Sequence, residues 1–266
     1  MNILACVPAE LLTRLRAVCH GAHRVHAALD WEDVAGAVER HPVDVIVVDP
    51  RFGSPATLTL APVLELRRIY PSTPFVIYTT LDAKTLPAIV TLGRSGINQL
   101  IIVDVDDEPE QLCAIFERQP GARLSDGLAD ALAPQLSQLP PDVAAALERV
   151  IHTPSAFDSV PDLAAAAKVS RRTIYRECER AALASPREII AAARALRAYA
   201  LLREGDMAIE DVAEALGFSS PHHLAKTMRW ASGMTTARAR ARIAPDEFVQ
   251  MLVARVAPMT SSSSAS

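Results

Sequence analysis

The sequence predicts an α/β domain built on a doubly wound parallel sheet, followed by an all-α domain. Short apolar runs alternate with amphipathic helical stretches up to residue 120, the alternation stops at Pro120-Gly121, and from Asp142 onward the apolar spacing is helical throughout. A chain of 266 residues exceeds the roughly 150 residues of one ordinary domain.

The strand-length runs are Ile3 to Val7, Val43 to Val48, Phe75 to Tyr78 and Leu100 to Val103, with a weaker one at Arg24 to Ala28. Helical patterns lie at Ala9 to Cys19, Trp31 to Arg40, Ala61 to Tyr70, Ala83 to Arg94 and Glu108 to Arg118. His41-Pro42, Asp49-Pro50, Pro71 to Pro74 and Gly96 mark turns. Five strands alternating with five helices imply a five-stranded parallel sheet covered on both faces over residues 1–120. Residues 121–141, with Leu124 to Leu132 set among Pro134, Pro140 and Pro141, read as an interdomain linker. The helical domain is expected over 142–256, and 257–266, ending in a serine run, as a disordered tail.

No apolar run reaches the roughly 18 residues of a spanning helix, so no membrane partner is expected. Met1 to Pro8 has no basic n-region and no A-x-A site, which makes a cytoplasmic location the expectation. Cys6, Cys19, Cys113 and Cys178 lie far apart without a C-x-x-C pair, as reduced core thiols do. The net charge of −4 hides an asymmetry: residues 1–141 hold 11 Lys and Arg against 17 Asp and Glu, residues 142–266 hold 16 against 14. The sign points to the C-terminal half as the part that meets phosphate.

That half contains one motif twice. Asp162 is placed to cap a short helix, Leu163 to Lys168, and Val169 makes a turn. Ser170 then caps a helix, Arg171 to Arg180, in which Ile174 and Cys178 share one face. The opposite face presents Arg171, Arg172, Thr173, Tyr175 and Arg176. Such a helix suits a major groove, where arginine forks onto guanine and hydroxyls fix phosphate register. For this motif alone, a surface helix whose arginines merely pair with Glu177 and Glu179 is an equally open reading.

In the second copy Ile209 to Leu216 is a short amphipathic helix, Gly217 supplies a turn suited to positive φ, and Phe218 plugs the core. Ser219 or Ser220 caps the next helix, with Pro221 at its first position. His222, His223, Lys226 and Arg229 face outward, Leu224 and Met228 inward.

Together these residues resemble the C-terminal DNA-binding domain of the AraC/XylS family of transcription regulators, over about residues 142–243. The family pattern I-x-x-V/I-A-x-x-x-G-F-x-S, a basic pair, then G-M/L-T-P and R is met by Ile209, Val212, Ala213, Gly217-Phe218-Ser219-Ser220, Lys226, Arg229, Gly233-Met234-Thr235 and Arg240. It departs at Thr236 (usually proline), at Ala239 (usually aromatic) and at Leu224 and Met228 (usually Phe). The resemblance implies a sequence-specific regulator of double-stranded DNA, with recognition helices 170–181 and 220–231 in successive major grooves. The connecting helix, Pro186 to Arg203, carries a stripe of Ile189, Ala193, Leu196 and Ala200. Its length of about 27 Å compares with about 34 Å per DNA turn.

The N-terminal half resembles the receiver domain of two-component response regulators, with its flavodoxin-like sheet. Val43 to Asp49 reads like the third receiver strand with the phosphoacceptor at Asp49, and Thr79 like the switch hydroxyl of the fourth. Phosphorylation chemistry also requires an acidic pair after the first strand for Mg²⁺ and a lysine after the fifth. Cys6-Val7-Pro8 and Ile102-Val103-Asp104 stand there instead. The expectation is a degenerate receiver used for oligomerisation or phosphorylation-independent signalling, with Asp49 inactive as an acceptor and serving to cap a turn.

His20, His23 and His26 beside Cys19 raise a metal hypothesis, outweighed by a solvated loop. No phosphate loop or nucleophile elbow is present, so no enzyme, catalytic residue, metal or cofactor is expected. Double-stranded DNA, a second copy of the chain and RNA polymerase are the expected partners. The rival reading is a protein-interaction module with the receiver-like half as docking unit.

Overall fold

In the computed structural model, residues 1–54, 58–117, 121–204 and 207–258 are described. The expected serine tail lies outside them from residue 259 onward. The chain divides into two compact units, Met1–Ala122 and Arg123–Ser266.

The first unit alternates β1 (Asn2–Cys6), α1 (Ala9–Cys19), β2 (Arg24–Ala27), α2 (Asp33–Arg40), β3 (Val45–Val48), α3 (Ala61–Ile69), β4 (Phe75–Thr79), α4 (Thr85–Arg94), β5 (Gln99–Ile102) and α5 (Pro109–Glu117). All pairings are parallel and the strand order is β2-β1-β3-β4-β5. This is the flavodoxin-like order of doubly wound sheets. Alternation along the strands splits the core in two. Ile3, Ala5, Val45, Val47 and Tyr78 meet Leu11 and Leu15 of α1 and Phe116 of α5 on one face. Leu4, Cys6, Ile46, Val48 and Ile77 meet Val34 of α2, Val63 of α3 and Leu92 of α4 on the other. Strands buried on both faces explain why β1, β3 and β4 read as continuous apolar runs.

The second unit is helical: α6 (Ala122–Leu136), α7 (Pro141–His152), a 3₁₀ turn (Pro154–Ala156), α8 (Val160–Ala166), α9 (Arg171–Arg180), α10 (Pro186–Glu204), α11 (Ile209–Ala215), α12 (Pro221–Ser232), α13 (Thr236–Arg242) and α14 (Pro245–Val256). Helix α6 occupies most of the stretch read as a linker. Leu124, Leu128, Leu132 and Leu136, spaced by four, bury one stripe in the helical core despite Pro134. Helix α10 is buried around nearly its whole circumference, not along a single stripe. Ala192, Ala193, Ala195, Ala198 and Ala200 let α7, α8, α9 and α11 to α14 all approach it. Ala257, placed in the expected tail, is still packed, and its N–H donates to Val253 O. Among the described residues no helix is long and apolar enough to cross a membrane.

Candidate nucleic-acid interface

The two motifs share one register through their first helix and turn, and the second copy starts its next helix one residue later. Helix α11 repeats α8 at an offset of 49 residues, Val160 to Ile209 and Ala166 to Ala215. The turns close identically: the N–H groups of Lys168 and Val169 donate to Ala165 O and Ala164 O, those of Gly217 and Phe218 to Glu214 O and Ala213 O. The left-handed residue is Lys168 (φ 54°) in the first copy and Gly217 (φ 67°) in the second. The first turn therefore hinges on Lys168, where the sequence pointed to Val169. Asp162 lies inside the first turn of α8, accepting from Ser159 Oγ at 2.8 Å, and does not cap it.

Helix α9 begins as its capping signal requires: the Thr173 N–H donates to Ser170 Oγ at 3.1 Å. Ile174 and Cys178 are fully buried, which turns Arg171, Arg172, Tyr175 and Arg176 outward and leaves Thr173 half-buried. Arg171 and Arg172 have no ion-pair partner among the described residues. Arg176 does, at 3.1 Å from the buried Glu177, which Arg180 also meets at 2.5 Å. The surface-helix reading thus applies to Arg176 and not to the arginines of the first turn.

In the second copy Ser220 is the cap, its Oγ accepting from the His223 N–H at 3.2 Å. Ser219 Oγ lies 3.3 Å from His223 Nδ1, and the Phe218 ring meets that imidazole edge-on at 5.4 Å. His223 is thereby fixed in place, while His222, Lys226 and Arg229 stand exposed. Leu224 and Met228 are buried, and Gly233 ends α12 in the left-handed conformation.

Residues 163–242 match a protein family described as a helix-turn-helix domain. The DNA-binding domain of AdpA, a global transcriptional factor solved in complex with a target DNA, is 30% identical, covering 38% of this chain and 90% of its own, with a TM-score of 0.35. Residues 163–242 belong to the AraC-type helix-turn-helix family. Two further solved structures resemble the chain at lower identity. Full-length FixJ from B. japonicum shares 16% identity over 88% of this chain and 98% of its own (TM-score 0.39). RcsB from Salmonella enterica serovar Typhimurium, bound to promoter rprA in the presence of the phosphomimetic BeF3-, shares 19% over 68% and 89% (TM-score 0.35). No curated protein matches the chain.

Within the AraC-type domain, Arg194 of α10 joins the two copies. Its Nη2 donates to Phe157 O at 2.9 Å and to Asp158 Oδ1 at 3.0 Å, just ahead of α8. Its Nη1 reaches Gly217 O at 3.5 Å, and the guanidinium lies 5.9 Å from the Phe218 ring. Sequence reasoning missed this residue because an arginine in a long helix reads as solvated. It also missed α13, where Arg238 and Arg242 stand exposed beside Arg240 with no ion-pair partner among the described residues. The alternation Thr-Ala-Arg-Ala-Arg-Ala-Arg was the available signal.

In the first unit Asp49 follows β3 and is fully buried, as is Thr79. The Arg51 N–H donates to Asp49 Oδ1 at 2.8 Å, the expected capped turn. The Arg51 side chain then folds back, with Nε 3.4 Å from Asp49 Oδ1 and Nη2 3.3 Å from both Asp49 Oδ2 and Thr79 Oγ1. A guanidinium thus neutralises the carboxylate and bridges it to the hydroxyl. Across the same end of the sheet, Arg14 pairs with Asp104 at 2.6 Å and Asp107 at 3.1 Å, and Tyr78 OH donates to Asp107 at 3.0 Å.

The histidines near Cys19 do not converge. His23 meets Phe116 edge-on at 6.1 Å, while His26 stacks on His41 at 4.1 Å. Burial pushes the thiols of Cys19 and Cys178 up to about 12 and that of Cys6 higher still, which leaves neutral core thiols.

Proposed function

We propose that this chain is a sequence-specific, double-stranded DNA-binding transcription regulator and not an enzyme. Helices 170–181 and 220–231 enter successive major grooves, where Arg171, Arg172, His222, Lys226 and Arg229 contact bases and phosphates. Ser170, Thr173, Tyr175, Ser219 and Ser220 hold register, His223 supports its neighbours, and Arg176 engages phosphate only by sharing itself with Glu177. The N-terminal unit serves oligomerisation or phosphorylation-independent signalling. The working form is a cytoplasmic homodimer that meets RNA polymerase at the promoter.

The observation that carries this reading is the repeat itself: two capped helices, on turns related by 49 residues, each presenting unpaired cations opposite a buried apolar pair. The 19 residues of α10 span about 28 Å, a reach comparable with the roughly 34 Å of one DNA turn. The AdpA DNA-binding domain, which was solved on a target DNA, is 30% identical over 38% of this chain. Binding of the full chain to its own promoter duplex tests it. Arg172→Ala and Lys226→Ala should each weaken binding and lower the salt slope by about 1. Unchanged affinity in both variants would sink the assignment.

A further inference from the structure

The AraC-type domain holds a groove of about 590 Å³, none of whose lining residues is among those assigned to DNA contact: Leu202 and Arg203 of α10, Ile209 of α11, and Thr236, Ala237, Arg240 and Ala241 of α13. Leu202, Ile209, Ala237 and Ala241 make it predominantly apolar, and Ile209 is 37% exposed. Its polar groups are of one kind. Thr236 is only 7% exposed, and its Oγ1 is buried without a hydrogen-bond partner. A buried hydroxyl left unsatisfied loses its hydration with no return, which singles it out for a missing partner. Arg240, one helical turn further on, and Arg203 have no carboxylate partner among the described residues. Arg203 is held in place by Arg240 O at 3.2 Å, Ile243 O at 2.9 Å and the Tyr199 ring at 5.8 Å. The acids of the first turn of α11, Glu210 and Asp211, are not among the lining residues.

An apolar cleft of a few hundred Å³ with a few convergent polar groups is the usual form of a small-molecule site. A cation held by backbone carbonyls, a second cation one turn along α13 and an orphan hydroxyl select an anion that brings apolar surface with it. We propose that this groove binds a small amphiphilic monocarboxylate, its carboxylate accepting from Arg240, Arg203 and Thr236 Oγ1 and its hydrocarbon part lying on Leu202, Ile209 and Ala237. The site does not depend on the assignment of the DNA-contacting residues. It joins α10, α11 and α13, so an occupant ties the first helix of the second motif to the helix that follows it.

The test is calorimetric titration of the full chain with octanoate, using octanol and inorganic phosphate as controls. Octanoate should bind saturably at one site, while neither control matches it. Arg240→Gln should weaken binding by about tenfold or more, the worth of a charge-assisted hydrogen bond. Thr236→Val removes only an unsatisfied hydroxyl, so the protein stays folded while octanoate affinity falls several-fold. Ala241→Phe starts from an exposed position and fills the groove, so binding should vanish with thermal unfolding unchanged. Absence of saturable binding, equal binding of octanol or phosphate, or affinity unaltered by Arg240→Gln would each overturn the proposal.

Discussion

The guanidinium of Arg194 and the Asp158 carboxylate meet at 3.0 Å, with the arginine 8% exposed and the aspartate side chain 80% exposed. Burial lowers the pKa of Arg194, and Asp158 offsets part of that cost. What makes the contact structural is its company: the same side chain satisfies the buried Phe157 carbonyl and reaches the turn of the second motif.

Arg194→Met keeps the apolar stem but strands Phe157 O, and should cost about 1–3 kcal/mol in urea unfolding of the helical unit. Asp158→Asn, at an exposed partner, should cost under about 1 kcal/mol. A loss from Asp158→Asn as large as that from Arg194→Met would mean that the ion pair, and not the carbonyl contact, holds the two motifs.

The matched turns give opposite expectations for matched substitutions. Lys168 adopts a left-handed conformation that L side chains resist by about 1–2 kcal/mol, so Lys168→Gly should stabilise the domain by a few tenths to about 1 kcal/mol after the entropy of glycine is subtracted. Gly217→Ala should destabilise it, because a Cβ there would stand 3.0 Å from Asp158 Oδ1 and 3.4 Å from Arg194 Nη2. Thermal melting of the two variants should move in opposite directions.

Much of this was legible beforehand. The β-α alternation located all five strands, and the capping serines with the Ile174/Cys178 and Leu224/Met228 spacings fixed the outward faces of α9 and α12. What escaped depended on tertiary context. Pro134 masked the leucine stripe of α6, because its local cost to the helix is outweighed by core packing. Lys168 in place of glycine hid the first turn, whose strain is sustained by the helices on either side. The Asp49–Arg51–Thr79 bridge was invisible because a side chain folding back over two residues leaves no periodic signature.

That bridge yields a chemical prediction. With its carboxylate already engaged by Arg51, Asp49 should gain no mass when the full chain is incubated with Mg²⁺ and acetyl phosphate. Arg51→Ala removes the countercharge from a buried carboxylate. Because the Arg51 side chain is 25% exposed, the loss should fall below that of a fully buried pair, at about 1–3 kcal/mol. Asp49→Asn in the Arg51→Ala background should recover part of it. A phosphoryl adduct on wild-type Asp49 would refute the bridge as a block.

The stacked pair His26 and His41 predicts an acid response of the first unit. His26 is held down to about 4 from its ordinary 6.5, mainly by burial, then by the neighbouring His41 and Arg24. A base with a depressed folded-state pKa binds fewer protons folded than unfolded between these two values. Its contribution to stability is therefore complete above about pH 6.5 and is lost as the pH falls toward 4. The full shift discounted for partial exposure corresponds to about 1–2 kcal/mol. His26→Phe keeps an aromatic surface against His41 and cannot titrate, so unfolding of this unit should become less pH-dependent between about 4 and 6.5. In a Trp230→Phe background, unfolding followed by the fluorescence of Trp31, whose Nε1 donates to Phe52 O at 2.8 Å within this unit, reads that slope. An unchanged slope in His26→Phe would assign the acid sensitivity to other groups.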